Sequence, residues 1–211
     1  MGGAPDETLL DYVLAQAPGR RLLYVPTAGM EDPARTVWWY ERLHGRAEMT
    51  HLHFFPWPPS GLRERVLDHD VILVTGGNTA NALAVWRSHG FDEILREAWL
   101  EGILLTGWSA GMICWFEHGV TDSFGPELAP TDCLGFLPGS ACPHYDGEER
   151  RRPVYTQLVA EGLAPGVAAD DDVALHYVGT ELREVVTSRE GAAAYRVEPG
   201  DERALETRLL A

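Results

Sequence analysis

Short runs of apolar residues alternate with amphipathic stretches along the first half of the chain. Four runs, at residues 22–25, 51–55, 71–74 and 103–106, have the length and composition of strands. The last two are apolar with almost no interruption, which is typical of strands buried on both faces of a parallel sheet. Residues 92–100 repeat apolar side chains at helical spacing after a capping aspartate. This alternation predicts an α/β fold with a mostly parallel, doubly wound sheet.

The pattern changes toward the end of the chain. Apolar runs at 173–178, 183–187 and 192–197, separated by turns that contain glycine, predict a C-terminal β-meander. Residues 199–210 place leucines at helical spacing, which predicts a closing helix. No internal repeat or low-complexity linker divides the sequence, so we expect one domain over residues 1–211.

Composition and charge narrow the classes of function. The 211 residues are 45% hydrophobic without an apolar run of about 18, so we expect a soluble chain with no membrane partner. Seventeen basic against 32 acidic residues give a net charge of −15, which repels a phosphate backbone and argues against a nucleic-acid partner. Three cysteines without a C-x-x-C pair, and a start without signal-peptide character, favour the cytoplasm.

The strongest candidate for chemistry is the Gly-Trp-Ser-Ala-Gly pentapeptide at 107–111. It lies between a buried strand and a helical pattern, where a tight turn holds its central residue in a strained conformation above the sheet. Ser109 is therefore a candidate nucleophile, and the amide of Ala110 would point to where an oxyanion forms. The alternative is a packing turn with an incidental serine, which the flanking strand and helix make less favourable.

A second glycine-rich turn follows the strand at 71–74 and opens a helical pattern at 80–88. Gly76 and Gly77 leave backbone N–H groups free at a helix N-terminus, where an anion or an oxyanion can bind. Gly77 and Asn78 are therefore candidate oxyanion or substrate contacts, although the segment alone is equally compatible with a structural turn. It lacks the third glycine of a dinucleotide fingerprint, and we expect no organic cofactor.

A serine nucleophile needs a base and a group that orients the base. His144 lies in a loop whose proline and glycine keep it outside helices and strands, so we select it as the base. His51 and His53 share one face of a strand, but no third ligand at a recognised spacing is near, so we expect no metal site. The triplet Asp170–Asp172 could orient the histidine, and the residues alone do not select one of the three.

Together these segments resemble the peptidase E family of serine exopeptidases, which includes aspartyl dipeptidases and cyanophycinases. The resemblance covers nearly the whole chain and rests on six motifs in order, at 76–79, 107–111, 121–124, 134–140, 142–147 and 169–175. It implies a flavodoxin-like or class I glutamine-amidotransferase-like fold.

The resemblance also implies roles for individual residues. Ser109 would be the nucleophile, His144 the base and Asp171 the third member, at a position where relatives often carry glutamate. Asp122 falls in a region that holds an additional active-site acid in some relatives. Family members open with a strand, whereas Met1 leads almost directly into a helical pattern, so we expect the sheet to be one strand short.

We therefore expect a serine exopeptidase that cleaves dipeptides or short peptides through an acyl-enzyme, and a homodimer is one possible assembly. A preference for N-terminal Asp is implied by the family, and Arg150, Arg151 and Arg152 could supply the cation for it. An esterase or amidase with the same triad, and a non-catalytic anion-binding protein, remain open alternatives. A cysteine enzyme is less favoured, because neither Cys114 nor Cys142 lies where its pKa would fall.

Overall fold

A computed structural model describes residues 1–211. The helices are α1 (Glu7–Gln16), α2 (Pro33–Leu43), α3 (Leu62–Leu67), α4 (Thr79–Ser88), α5 (Phe91–Leu100), α6 (Ala110–Ile113) and α7 (Arg151–Ala160). The strands are β1 (Arg21–Val25), β2 (Glu48–His51), β3 (Val71–Val74), β4 (Leu104–Gly107), β5 (Phe116–Thr121), β6 (Ala129–Asp132), β7 (Leu137–Cys142), β8 (Gly166–Ala169), β9 (Val173–Val178), β10 (Glu181–Thr187), β11 (Ala194–Glu198), β12 (Asp201–Ala204) and β13 (Thr207–Leu209). None of the helices combines the length and the apolar character that crossing a bilayer requires.

The first four strands form a parallel sheet in the order β2-β1-β3-β4. All four residues of β3 are buried, as the uninterrupted apolar run predicts. Helices α1 and α2 pack on one face through Leu9, Leu10 and Trp39. Helices α4 and α5 cover the other face through residues such as Trp86 and Leu95. The predicted α/β fold with a parallel central sheet and helices on both sides is therefore confirmed.

A second sheet of six strands has the order β12-β11-β8-β7-β5-β6. Its central strands β5, β7 and β8 are parallel, so the loops after β7 and β8 leave from the same edge. The backbone amide of Tyr145, just beyond β7, donates to the carbonyl of Ala169 at the end of β8 over 3.0 Å. This bond keeps the two loops side by side.

The C-terminal strands differ in part from the predicted meander. Strands β9 and β10 pair as an antiparallel hairpin in a third sheet of order β13-β10-β9. Strand β11 leaves that sheet and pairs with β8 and β12 instead. Pairing with β8 buries Ala194 and Val197 completely, which explains why the chain crosses over at this point.

The predicted closing helix at 199–210 is wrong, because this segment forms strands β12 and β13. Strand β12 pairs with β11, and β13 runs parallel to β10. Leu205 packs against the main core and Leu210 against the core beside α1, while Leu209 is exposed. Available strand edges therefore outweigh the helical spacing of the leucines.

The predicted strand at 51–55 is displaced, because only His51 of this run belongs to a strand. Strand β2 ends at His51, and the amides of Phe54 and Phe55 donate to the carboxylate of Glu31 at 2.6 and 3.2 Å. The buried Glu31 side chain thus accepts the hydrogen bonds that a neighbouring strand would otherwise accept.

The first strand along the chain is β1, which follows α1. Residues Met1–Gly3 nevertheless lie against two strand ends. The amide of Ser109 donates to the carbonyl of Met1 over 3.0 Å, and the amide of Gly2 donates to the carbonyl of Val173 over 3.1 Å. These residues connect the end of β4 to the start of β9.

Candidate active site

Ser109 occupies the tight turn between β4 and α6, with φ 55° and ψ −115°. A positive φ is unfavourable for a residue with a side chain, so the surrounding structure must hold it. Two glycines provide that packing: a Cβ on Gly107 would lie 2.4 Å from the carbonyl oxygen of Val74, and one on Gly111 2.3 Å from the same atom. Only glycine lets the turn press this closely against β3.

Two backbone amides near Ser109 are candidates to bind an oxyanion. The amide of Ala110 opens α6 and the amide of Gly77 lies in the loop after β3, and neither donates to an acceptor in the protein. The loop approaches the serine closely, since a Cβ on Gly76 would lie 3.1 Å from Cβ of Ser109. Gly77 itself has φ 141°, and a Cβ there would meet the carbonyl of Ala28 at 2.0 Å.

Asn78 has a different place from the one that the sequence suggests. Its Oδ1 accepts from the amide of Asn81 at 2.8 Å and so caps α4, and its Nδ2 donates to the carbonyl of Ser123 at 2.9 Å. Its backbone amide donates to the carbonyl of Ala28 at 2.8 Å. Asn78 therefore anchors the Gly77 loop, and Gly77 and Ala110 are the backbone amides that remain as candidate oxyanion donors.

His144 and Asp171 are in direct contact: Nδ1 of the imidazole lies 2.7 Å from Oδ1 of the carboxylate. His144 has a positive φ of 54° and a side chain that is 20% exposed. The other two aspartates point elsewhere. Asp170 is buried, accepts from the amide of Ala193, and has a pKa raised by desolvation; Asp172 pairs with Arg189 at 3.0 Å.

A network that sequence reasoning missed holds Asp171 in place. The amide of Asp171 donates to Asp146 at 2.9 Å, and Nη2 of Arg189 donates both to the carbonyl of Asp171 and to Asp146. Burial raises the pKa of Asp146, but the hydrogen bonds from the Asp171 amide and from Arg189 outweigh it, and the pKa is lowered. Arg189 lies 18 residues beyond Asp171 in a turn, where no local pattern indicates its role.

The segment Met1–Gly3 lies between the serine turn and the histidine–aspartate pair. Met1 is bonded to Ser109, and a Cβ on Gly3 would lie 2.7 Å from Oδ1 of Asp171. Two residues of extended chain span roughly 7 Å. The hydroxyl of Ser109 makes no hydrogen bond to His144. Residues Met1–Gly3 thus link the serine turn to the histidine–aspartate pair, and the serine is not hydrogen-bonded to the base.

The other candidate residues lie apart from this arrangement. The rings of His51 and His53 are 4.6 Å apart, and Nδ1 of His51 lies 2.9 Å from the hydroxyl of Tyr40. No three His, Cys, Asp or Glu side chains are grouped so as to share an ion. Asp122 is exposed after β5, and its carboxylate has no hydrogen-bond partner.

The arginine cluster after His144 is engaged in ion pairs within the chain. The pairs are Arg150 with Glu127, Arg151 with Glu148 and Arg152 with Glu202. Arg151 is also 4% exposed and donates to the carbonyl of Val120 at 2.8 Å. The suggestion that one of these arginines is a free cation for substrate is therefore not supported.

All three cysteines are buried and unpaired. Burial raises the pKa of Cys133 and of Cys142 to about 12, and it also raises that of Cys114. A thiolate nucleophile requires a lowered pKa and access to solvent. The structure thus disfavours a cysteine enzyme.

A cavity of about 420 Å³ lies between β4 and β9 rather than at the serine. Gly107 and Gly111 border it from the underside of the turn, but Ser109, His144 and Asp171 do not line it. This cavity is therefore separate from the candidate active site.

Comparison with known proteins agrees with the motifs. The model of peptidase family S51 matches residues 2–185. The uncharacterized peptidase YgaJ of Bacillus subtilis (strain 168) is 47% identical over 207 residues, which cover 93% of this chain and 90% of that protein. Peptidase E of Shewanella denitrificans is 30% identical over 154 residues, or 68% of this chain and 63% of that protein.

Solved structures support the fold. A peptidase from an acI-B1 actinobacterium superposes with a TM-score of 0.70 at 18% identity, covering 96% of this chain and 91% of that one. At this identity the likeness shows the fold alone. The family model and the B. subtilis relative span most of the chain, and they confirm the resemblance found in the motifs. The protein is therefore a peptidase that belongs to family S51.

Proposed function

We propose that this peptidase is a serine exopeptidase that hydrolyses dipeptides or short peptides through an acyl-enzyme on Ser109. The contact of 2.7 Å between Nδ1 of His144 and Asp171 carries the proposal. A carboxylate that accepts the Nδ1 proton leaves Nε2 as the proton acceptor, which is the tautomer that a serine nucleophile requires. The strained turn that presents Ser109 supports the same role.

In the proposed reaction, Oγ of Ser109 attacks the scissile carbonyl carbon while Nε2 of His144 takes the hydroxyl proton. The tetrahedral oxyanion accepts hydrogen bonds from the amides of Gly77 and Ala110, and one such donor contributes roughly 10²–10³ in kcat. His144 then protonates the leaving amine, and a water activated by the same imidazole hydrolyses the ester. Serine and base can approach when substrate binds, because such bonds are often long in the free enzyme.

Exopeptidase action on short peptides, including those with an N-terminal Asp, is what the resemblance to peptidase E implies. The relatives named peptidase E support the reaction class. We also place the enzyme in the cytoplasm, where three unpaired cysteines are stable.

A peptide-library digest with mass analysis of the products tests the proposal. We expect short products released from one end of the peptide, and labelling of Ser109 by a fluorophosphonate that is lost in Ser109→Ala. Cleavage of small esters without cleavage of any peptide would indicate an esterase. Absence of labelling with anion binding retained would indicate the non-catalytic alternative.

A further inference from the structure

Arg35 in α2 places its guanidinium at the edge of the candidate active site. Its Nη1 donates to the carbonyl of Gly76 over 3.4 Å, and a Cβ on Gly29 would lie 3.0 Å from the same nitrogen. A Cβ on Gly76 would lie 3.1 Å from Cβ of Ser109. The guanidinium and the serine therefore border the same residue, Gly76.

Arg35 is exposed and makes no ion pair, whereas Arg150, Arg151 and Arg152 each pair with a glutamate. The nearest acidic residues in sequence are used elsewhere. Asp32 caps α2 through the amide of Ala34 at 2.9 Å, and the carboxylate of Glu31 accepts two backbone amides of the 52–55 segment. Most of the donors of Arg35 therefore remain available to a ligand.

The ligand class follows from charge and geometry. A planar guanidinium binds a carboxylate through two parallel hydrogen bonds and so fixes both its position and its orientation. With a net charge of −15, the protein repels an anionic substrate unless a local cation offsets the repulsion. Arg35 is an unpaired cation beside the proposed nucleophile.

We propose that Arg35 is a specificity-determining residue that binds a carboxylate of the peptide substrate. The inference rests on the proposed function of Ser109. The carboxylate belongs either to the side chain of an acidic N-terminal residue or to the chain terminus of the residue after the scissile bond. Both lie within about one residue of the attacked carbonyl, a distance of roughly 3.5 Å along an extended chain.

Four substrates separate the two sources: Asp-Leu, Asp-Leu amide, Ala-Leu and Ala-Leu amide. We expect Arg35→Met to raise KM about tenfold or more for substrates that carry the bound carboxylate, with kcat changed less than about threefold. Arg35→Lys should restore part of the loss. If KM rises for the two Asp substrates and not for the two Ala substrates, Arg35 binds the side-chain carboxylate. If KM rises for the two free acids and not for the two amides, Arg35 binds the carboxylate of the chain terminus.

The matched control is Arg183→Met, which removes another exposed arginine without an ion pair. Arg183 lies in β10 between Leu182 and Glu184, which pair with Tyr177 and His176 of β9. Asp172 precedes the opposite end of β9. Arg183→Met changes the net charge by the same amount as Arg35→Met, and it should leave all four KM values unchanged. Equal KM values for Arg35→Met and wild type, or the same loss for all four substrates, would overturn the inference.

A second measurement does not depend on turnover. Free aspartate or free leucine should slow fluorophosphonate labelling of Ser109 in the wild type, and Arg35→Met should require about tenfold more of whichever amino acid carries the bound carboxylate. If the amino acid protects the wild type and Arg35→Met equally, or does not protect the wild type, the inference about Arg35 is wrong while the proposed role of Ser109 stands. Failure of Ser109 to label at all counts against the proposed function instead.

Discussion

The backbone amide of Asp171 donates to Oδ1 of Asp146 across 2.9 Å, so the loop after β8 is fastened to the loop that carries His144. Arg189, from the turn after β10, donates to both residues. Three loops that are distant in sequence thus hold the carboxylate against the imidazole.

Arg189→Met tests this network through the pH dependence of stability. The lowered pKa of Asp146 in the folded state adds stability above the unfolded value of about 3.9, and this is lost as the pH falls through the folded value. The variant should therefore be less stable at pH 7, by up to about 1 kcal/mol because both side chains are partly exposed. The difference should shrink below about pH 4.

Urea denaturation of both proteins from pH 7 to pH 3 measures the effect. Arg183→Met is the control, since its side chain has no acidic partner, and its curve should stay parallel to that of the wild type. A constant gap between Arg189→Met and the wild type at all pH values would show that Arg189 does not act through Asp146.

Ser109→Ala should lower kcat by several orders of magnitude, as removal of a covalent nucleophile does. Alanine is smaller than serine and tolerates the backbone conformation no worse, so the urea midpoint should stay the same. Ser88→Ala, at the exposed end of α4, is the matched control and should keep full activity. More than about a tenth of the wild-type kcat in Ser109→Ala would exclude an acyl-enzyme on this residue.

His144→Ala should abolish activity, while His51→Ala and His53→Ala should not. Wild-type activity should be lost at acidic pH, because an imidazolium cannot accept the serine proton. Initial rates across pH, with and without EDTA, provide the measurement. Inactivation by EDTA that zinc reverses would instead favour a metal site at His51 and His53.

Asp171→Asn should reduce kcat by about 10³- to 10⁴-fold, because an amide cannot hold the imidazole in the required tautomer. Asp172→Asn, which changes the neighbouring aspartate that contacts Arg189 and not His144, should cost less than about tenfold. Steady-state kinetics of the two variants decide the point. Similar losses in both would mean that the acidic triplet acts through its charge and not through one contact.

Alkylation distinguishes the serine and cysteine mechanisms. Since burial raises the pKa of Cys133 and Cys142 to about 12, iodoacetamide at pH 8 should leave the native protein unmodified and fully active. In urea the same reagent should add three groups, one for each cysteine. A native adduct that is accompanied by loss of activity would reopen the cysteine alternative.

Local pattern was sufficient for the parts of the fold that are buried on both faces. The apolar run at 71–74 coincides with β3, and 103–106 is displaced by one residue from β4. It failed at 199–210, because this segment pairs with β10 and β11, which both lie outside the window in which the leucines repeat. Segments at sheet edges depend on partners more than on their own spacing.

The residues of the candidate site also differ in whether the local sequence predicts them. The serine turn has a local signal, since its glycines and the preceding strand adjoin it in sequence. The choice of Asp171 over its two neighbours required the resemblance, because the three residues have the same chemistry and differ only in the loops that they face. Arg189 and Arg35 had no signal, since each reaches the site across more than 15 residues.

A Cβ on Gly107 or on Gly111 would lie 2.4 or 2.3 Å from the carbonyl oxygen of Val74, which is too close for any side chain. A saturation library at these two positions should return glycine whether the selection is for peptide cleavage or only for soluble expression. A library at Ser109 should return serine only under selection for cleavage. Invariance of the two glycines among homologues would thus be evidence of a packing constraint, and the enzymatic constraint can be measured at the central position alone.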